Sequence, residues 1–212
     1  VFALIMEVNP TGIHIGDYAL YLHRRKREFD KAQKMYTKAL ELYPQHSSIN
    51  LKYAGFLRHT RRDIPGAEKY YLKAVEASPM NSDALGSYAS FMHGVHNNIK
   101  EAEKYYQKAV EADDMHTNNL CNYGLFLSEE KKNYELAEKM YTRALEVHAK
   151  HANTLYNYAV MLDTHLKRKA EAEGLYRRAL EIKPRHAFAL YNLAVLLEER
   201  YSVELITQAA ES

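Results

Sequence analysis

Residues 155–184 read LYNYAVMLDTHLKRKAEAEGLYRRALEIKP, and the spacing of their tyrosines and alanines decides the fold. Two series of tyrosines recur every 35 residues along the chain: Tyr18, Tyr53, Tyr88, Tyr123 and Tyr158, and Tyr36, Tyr71, Tyr106, Tyr141 and Tyr176. Alanine keeps the same period at Ala32, Ala67, Ala102, Ala137 and Ala172. Self-similarity at a fixed period of about 20–50 residues indicates a solenoid of stacked repeats.

Each repeat has the pattern of two helices. In the second repeat, Tyr53, Ala54 and Leu57 share one helical face, the polar stretch 59–63 breaks the pattern, and helical spacing resumes from Ala67. The small residues allow two helices to approach closely, while the tyrosines fill the space between successive pairs. Since one pair cannot bury its apolar face alone, the repeats are expected to stack into one continuous core.

Composition narrows the class of protein. The 212 residues include only 8 Gly and 5 Pro, which argues against a sandwich or barrel rich in turns. Lys and Arg (29) nearly balance Asp and Glu (27), so binding to nucleic acid or to an anionic membrane would need a local patch. The single cysteine, Cys121, rules out an intrachain disulfide framework. We therefore expect a reducing intracellular location, which is the cytoplasm with the nucleus left open. No apolar run approaches the ~18 residues of a membrane span, so we expect no insertion into a membrane.

The repeats resemble the tetratricopeptide (TPR) family from about residue 12 to 200. The matching pattern of bulky and small residues followed by proline is Leu155, Tyr158, Ala159, Leu162, Ala172, Tyr176 and Pro184. Two features depart from that family. The tryptophan usual in the first helix is absent, and the period is 35 rather than about 34 residues, with the extra residue between the two helices.

A period of 35 also belongs to pentatricopeptide arrays, which bind RNA. In that family the loop after the second helix is longer, whereas here the spacing from Ala32 to Pro44 and from Ala172 to Pro184 is that of TPR proteins. No column corresponds to the side chains with which pentatricopeptide proteins read nucleotides. These features favour the TPR interpretation.

The resemblance implies an all-α fold, a right-handed α-α superhelix with five full repeats of 35 residues and partial repeats at both ends. We expect the full repeats near 12–46, 47–81, 82–116, 117–151 and 152–186. Residues 187–200 form the first helix of a sixth repeat. Residues 1–11 resemble the end of a preceding repeat, and 201–212 a degenerate or capping helix, as if the chain were a piece of a longer protein.

In the TPR family the first helices line a concave groove, and one groove-facing column of this chain is rich in asparagine. Asn122, Asn157 and Asn192 follow one another at the repeat pitch, and each carboxamide offers both a donor and an acceptor to a peptide backbone. The column resembles the asparagine ladder of O-linked N-acetylglucosamine transferase. Tyr156 and Tyr191 add amphipathic anchors for apolar side chains. The alternative is that asparagine is simply a tolerated polar residue there.

Charged residues follow the same groove. We expect Lys52 and Arg58 on its edge in the early repeats, where they would bind or orient a peptide. The Lys and Asn pairs with which some TPR domains bind a C-terminal carboxylate have no counterpart here. Two basic runs, 24–27 and 58–62, lie in adjacent turns and could form one ridge for phosphates or an acidic partner.

Motifs for catalysis or metal binding are missing. The sequence has no Walker loop, no G-x-S-x-G, no H-E-x-x-H and no C-x-x-C, so we predict no enzyme activity, catalytic residue, metal site or cofactor. We expect a non-enzymatic scaffold that holds an extended peptide or a partner helix, and nucleic acid is a poor candidate for the ligand. Two alternatives stay open: the substrate-recognition segment of a longer enzyme such as a glycosyltransferase, and a subunit of a larger assembly.

Overall fold

The computed structural model describes residues 12–211, with side chains from 13 to 202. This part of the chain contains eleven α-helices and no strand. Residues 1–11, which were predicted to end a preceding repeat, lie outside it. The helices are α1 (Gly12–Tyr21), α2 (Phe29–Leu42), α3 (Ser47–Phe56), α4 (Ile64–Ala77), α5 (Ser82–Gly94), α6 (Ile99–Ala112), α7 (Thr117–Glu129), α8 (Tyr134–Val147), α9 (Ala152–Thr164), α10 (Lys169–Ile182) and α11 (Ala187–Glu211).

The helices group into two compact units, one ending at Ala112 and the other beginning at Asp113. In the first unit α1 packs against α2, α3 against α4 and α5 against α6, and in the second α7 packs against α8 and α9 against α10. Within each unit a second helix also contacts the first helix of the next pair, as α2 contacts α3 and α10 contacts α11. The predicted all-α fold of stacked helix pairs is thus confirmed within each unit, while the handedness of a superhelix stays a prediction.

The periodic residues form the core of both units. The five alanines that begin at Ala32 and the five that begin at Ala39 are all fully buried. The five tyrosines of one 35-residue series are at most 3% exposed: Tyr36, Tyr71, Tyr106, Tyr141 and Tyr176. An alanine at each helix contact leaves room for a tyrosine ring from the neighbouring helix, so both residue types are needed at the same pitch.

The turn between the two helices of each repeat is wide and has a left-handed residue. In this turn a backbone N–H donates to the carbonyl oxygen six residues earlier: the N–H of Glu28 donates to Leu22 O at 3.0 Å, and that of Asn98 donates to Met92 O at 2.9 Å. In the first two repeats the helix widens into a π-helical turn there, at Leu22–Lys26 and Leu57–Arg61. This turn accommodates the residue by which the period exceeds that of TPR proteins. The left-handed residues, with φ between 51° and 59°, are Arg27, Arg62, Asn97, Lys132 and Lys167.

Histidines cap three of the described first helices, α3, α7 and α11. His46 Nδ1 accepts a hydrogen bond from the Ile49 N–H at 3.4 Å, and His116 Nδ1 accepts one from Asn119 at 3.3 Å. His186 makes the same contact in α11. In these caps the imidazole nitrogen takes the place of the side-chain oxygen that usually accepts from the first turn of a helix.

The last helix is longer than the repeat predicts. Helix α11 runs unbroken from Ala187 to Glu211, so no turn marks the expected boundary at residue 200. Within residues 12–211, no helix combines the length and the apolar character needed to span a bilayer.

Candidate peptide-binding face

The predicted asparagine column lies in the second unit, on the first helices α7, α9 and α11. Asn122, Asn157 and Asn192 are all half-buried, so each amide is partly fixed and partly accessible. Asn157 Nδ2 donates to Cys121 Sγ at 3.6 Å, and Asn192 Nδ2 donates to Tyr176 Oη at 3.3 Å. These bonds orient the two carboxamides, because each amide plane is held at its nitrogen while its oxygen can still accept.

The two predicted tyrosines have different roles in this face. The Tyr156 ring is half-buried, 4.7 Å from the ring of His186 and 6.2 Å from that of Tyr176. Burial raises the pKa of Tyr156, and a hydrogen bond with Asn192 opposes that shift. Tyr191, in contrast, is 68% exposed. Tyr156 is therefore part of the wall that positions Asn192, whereas Tyr191 presents its ring to solvent.

A pocket of about 290 Å³ lies beside the last asparagine of the column. Its walls include Tyr191, Val195 and the carboxylate of Asp163. Burial raises the pKa of Asp163, and the nearby Lys169 opposes the shift. Lys169 itself forms an ion pair with Glu199. The volume is at the lower end of that of small-molecule sites, so the pocket is large enough for a single side chain.

Cys121 is 2% exposed beneath Asn157. Burial raises the pKa of its thiol, against hydrogen bonds with Thr154 and Asn157. A buried thiol of raised pKa is a poor nucleophile, so its role is to hold Asn157 in place.

The predicted basic residues lie in the first unit, away from the asparagines in the chain. Lys52 Nζ forms an ion pair with Asp17 Oδ1 at 2.6 Å. The guanidinium carbon of Arg58 stacks 5.6 Å from the ring centre of Phe91. Both cations thus have partners within the protein. The column that carries Asp17 and Lys52 was visible in the sequence, but their pairing was not predicted.

Comparisons with known proteins identify the repeat family and the fold. The family model described as "PRP39 N-terminal HAT repeat" matches residues 5–160. No curated protein sequence gives a significant match. Solved structures described as TPR proteins do match, which confirms the resemblance to that type of repeat.

Three solved structures show the range of these matches. YrrB, a TPR protein with an unusual peptide-binding site, is 24% identical with a TM-score of 0.60, covering 91% of this chain and 97% of YrrB. PilF of Pseudomonas aeruginosa is 20% identical with a TM-score of 0.75, covering 95% of this chain and 93% of PilF. The APC/C hetero-tetramer Cut9–Hcn1 is 19% identical with a TM-score of 0.79, covering 92% of this chain and 38% of the matched chain. At these identities the likeness establishes the fold alone.

Proposed function

Because the chain belongs to the family of PRP39 N-terminal HAT repeats, we propose that it is a non-enzymatic protein-interaction module that holds an extended peptide on the first-helix face of its second unit. The observation that carries this proposal is the column of half-buried Asn122, Asn157 and Asn192 at the repeat pitch. The amides of Asn157 and Asn192 are oriented by hydrogen bonds at their nitrogens. Their oxygens can then accept the N–H groups of a peptide in extended conformation.

The side chains beside the column indicate what kind of peptide fits. Tyr191 and Val195 expose apolar surface, 68% and 38% of their areas, next to the pocket that contains Asp163. An extended peptide directs alternate side chains to one face. A peptide with apolar residues at alternate positions would therefore place its backbone on the asparagines and its side chains against Tyr191 and Val195.

The carboxamide of Asn192 has fewer hydrogen-bonding groups available to a ligand than the sequence suggested. Its amide nitrogen donates to Tyr176 Oη, and it also hydrogen-bonds Tyr156. It therefore contributes an acceptor rather than a bidentate pair. Asn157, with one N–H bonded to Cys121, keeps a second N–H as well as its oxygen and can bind a peptide unit at both groups.

The comparisons support the proposal only through the fold. YrrB shows that a TPR protein of this size has a peptide-binding site. The chemistry of recognition in the present chain rests on its own residues. We further infer a reducing intracellular location, because the buried Cys121 is a free thiol.

Peptide display followed by calorimetry tests this function. Peptides selected on the purified chain are titrated into wild type, into Asn122→Ala/Asn157→Ala and into the control Glu146→Ala/Glu181→Ala, an exposed column on the second helices α8 and α10. At least one hydrogen bond is lost at each residue, and at about 0.5–1.5 kcal/mol per bond this predicts a rise in Kd of roughly fivefold or more for the first variant. The control should bind as wild type does. Equal affinity of wild type and the first variant would refute the role of the column.

A second candidate function, as a subunit of an assembly, rests on α11. Leu190 is 47% exposed, whereas Leu155, at the same repeat position, is fully buried. Ala194 is also exposed, while Ala159 is fully buried. In each unit, a second helix with the alanine and tyrosine pattern covers the equivalent face of a first helix. We therefore infer that a partner helix with that pattern can dock on this face of α11.

This candidate is tested with a synthetic peptide of residues 169–182, the sequence of α10, added to the intact chain. Fluorescence anisotropy should show binding that Leu190→Asp abolishes and that the asparagine variant leaves unchanged. Absence of binding to wild type, or binding that survives Leu190→Asp, removes the candidate without affecting the peptide site.

A further inference from the structure

A concentrated basic surface lies in the first unit, at the turns that follow α1 and α3. Both turns are π-helical and close with a left-handed arginine, so they present their side chains in the same way. We define the basic ridge as the seven cationic residues of these turns: Arg24, Arg25, Lys26, Arg27, Arg58, Arg61 and Arg62.

The carboxylates closest in sequence to the ridge already have partners. Asp30 forms an ion pair with Arg61 at 2.5 Å, and Glu28 forms one with Lys31 at 2.5 Å. Asp63 caps α4 by accepting the N–H of Gly66 at 2.9 Å.

Most of the ridge cations lack such partners. Among the described side chains, no ion pair joins a carboxylate to the exposed residues Arg24, Arg25, Lys26, Arg27 and Arg62. The ridge therefore carries a local excess of positive charge on a chain whose total charge is close to zero.

The two turns are fixed to each other. His23 Nε2 lies 2.9 Å from Thr60 Oγ1. The His23 ring also packs edge-on against Phe56 at 5.0 Å, and the Arg61 guanidinium stacks on the same ring at 5.4 Å. The cations of both turns are therefore held on one rigid support, which reduces the entropy lost when a ligand binds across them.

The local potential is reflected in the neighbouring histidines. Burial lowers the pKa of His59, and the charges of Arg58 and Arg62 lower it further. Burial also lowers the pKa of His23, with a contribution from Arg24. Both pKa shifts are those expected of partly buried imidazoles that also lie beside cations.

We propose that the basic ridge docks an acidic segment of a partner protein, as a second interaction surface separate in residues from the asparagine column. Arginines predominate in it, and a guanidinium binds a carboxylate through two parallel hydrogen bonds. Carboxylate side chains spaced along a flexible segment could reach both turns.

The ridge suits an acidic protein segment better than a nucleic acid. The basic track is short, because the next inter-helix turn, residues 93–98, has no Arg or Lys. Among the tyrosines and phenylalanines of this unit whose side chains are described, Tyr43 is the exposed one, and it follows the opposite end of α2. A nucleic-acid surface would need a longer track of cations or aromatic rings on which bases can stack.

Fluorescence anisotropy on the intact chain tests the proposal with a labelled peptide of alternating Glu and Ser. The ridge variant is Arg24→Glu/Arg25→Glu/Arg62→Asn, in which asparagine suits the left-handed position. The control is Lys34→Glu/Lys38→Glu/Lys69→Gln, which changes the net charge by the same amount on exposed faces of α2 and α4. A peptide of alternating Gln and Ser and a single-stranded RNA of equal length are the other probes.

The ridge variant should raise the Kd of the acidic peptide on the order of tenfold at moderate salt, and added salt should weaken wild-type binding. The control variant should bind nearly as wild type does, and the Gln peptide should not bind. Equal weakening by both variants would show a net-charge effect and overturn the proposal. Tighter binding of RNA than of the acidic peptide, lost in the ridge variant, would overturn it in favour of a nucleic-acid surface.

Discussion

Gly124 should resist replacement by alanine although the same column carries alanine in the other repeats. It faces the ring of Tyr141, and a Cβ atom at Gly124 would lie 2.9 Å from Cε1 and 3.0 Å from Cδ1 of that ring. Optimal carbon–carbon contacts are about 3.5–4.0 Å, so the ring would have to move by roughly 0.5 Å or more. Tyr141 is fully buried and stacks 5.5 Å from Tyr158, which leaves it little space.

Two opposing effects set the size of this change. Alanine gains about 0.8–1 kcal/mol of helix propensity over glycine. Overpacking a filled core costs about 1–3 kcal/mol. We therefore expect Gly124→Ala to lower the free energy of unfolding by about 0–2 kcal/mol. The control is Gly174→Ala in α10 of the same unit, where no atom lies within 4 Å of the added Cβ and only the gain of about 1 kcal/mol applies.

Equilibrium urea unfolding followed by far-ultraviolet circular dichroism measures both variants. The difference between them isolates the contact with Tyr141 and should be about 1–3 kcal/mol. If Gly124→Ala stabilises the protein as much as Gly174→Ala does, the close approach of α7 and α8 is wrong.

Two further changes test the turns and the caps. His151 precedes α9 and lies 2.7 Å from Thr154 Oγ1, and burial, His148 and Lys183 lower its pKa. The unfolded state therefore binds the proton more tightly, so the free energy of unfolding should fall as pH drops below about 6.5. His151→Asn, which supplies the residue type that caps α5, should reduce this pH dependence when urea unfolding is measured at several pH values. If the free energy of unfolding changes with pH as it does in wild type, the pH dependence does not come from His151. Lys132→Gly should stabilise the protein by about 0.5–1 kcal/mol, because Lys132 has φ 52°, and a thermal melt that shows a loss would contradict that reasoning.

The repeat core could be predicted from the sequence because its geometry depends on side-chain size. Ala137 and Ala172 are fully buried where the 35-residue lattice places them, and Tyr141 and Tyr176 fill the space beside them. Close contact between helices permits few other residues at these positions. The 35-residue spacing of alanine and tyrosine therefore indicates directly where the helices contact one another.

The inter-helix turns could not be predicted in the same way. Left-handed backbone is usually signalled by glycine, but these turns have Arg27, Arg62 and Lys132 at that position. The hydrogen bonds of the wide turn, not the residue type, determine its conformation. The extra residue in the 35-residue period indicated where the turn lies, but it did not indicate the backbone conformation of the turn.

The capping contacts of His46, His116 and His186 were not predicted from the sequence. The signal was present in the second repeat, where Asn81 occupies the same column and accepts the N–H of Ala84 at 3.1 Å. Asparagine is a common helix cap, which would have identified His46 and His116 as its equivalents.

For the candidate site, the sequence predicted which column carries amides but not how they are held. Asn192 depends on Tyr176, a residue of the preceding helix, and Asn157 on Cys121 in the preceding repeat. Such contacts depend on the approach of neighbouring helices, which the spacing within one repeat does not specify. The charges of Lys52 and Arg58 were likewise predicted without their partners, Asp17 and Phe91.

Recognition of a peptide backbone by Asn157 is tested most directly by a double-perturbation cycle. A selected peptide and its singly N-methylated forms, each lacking one backbone N–H, are titrated by calorimetry into wild type and into Asn157→Ala. If Asn157 binds the backbone, one methylation should weaken binding to wild type by about 0.5–1.5 kcal/mol more than binding to the variant. If every methylation costs the same in both proteins, Asn157 makes no backbone contact and the proposed mode of binding is contradicted.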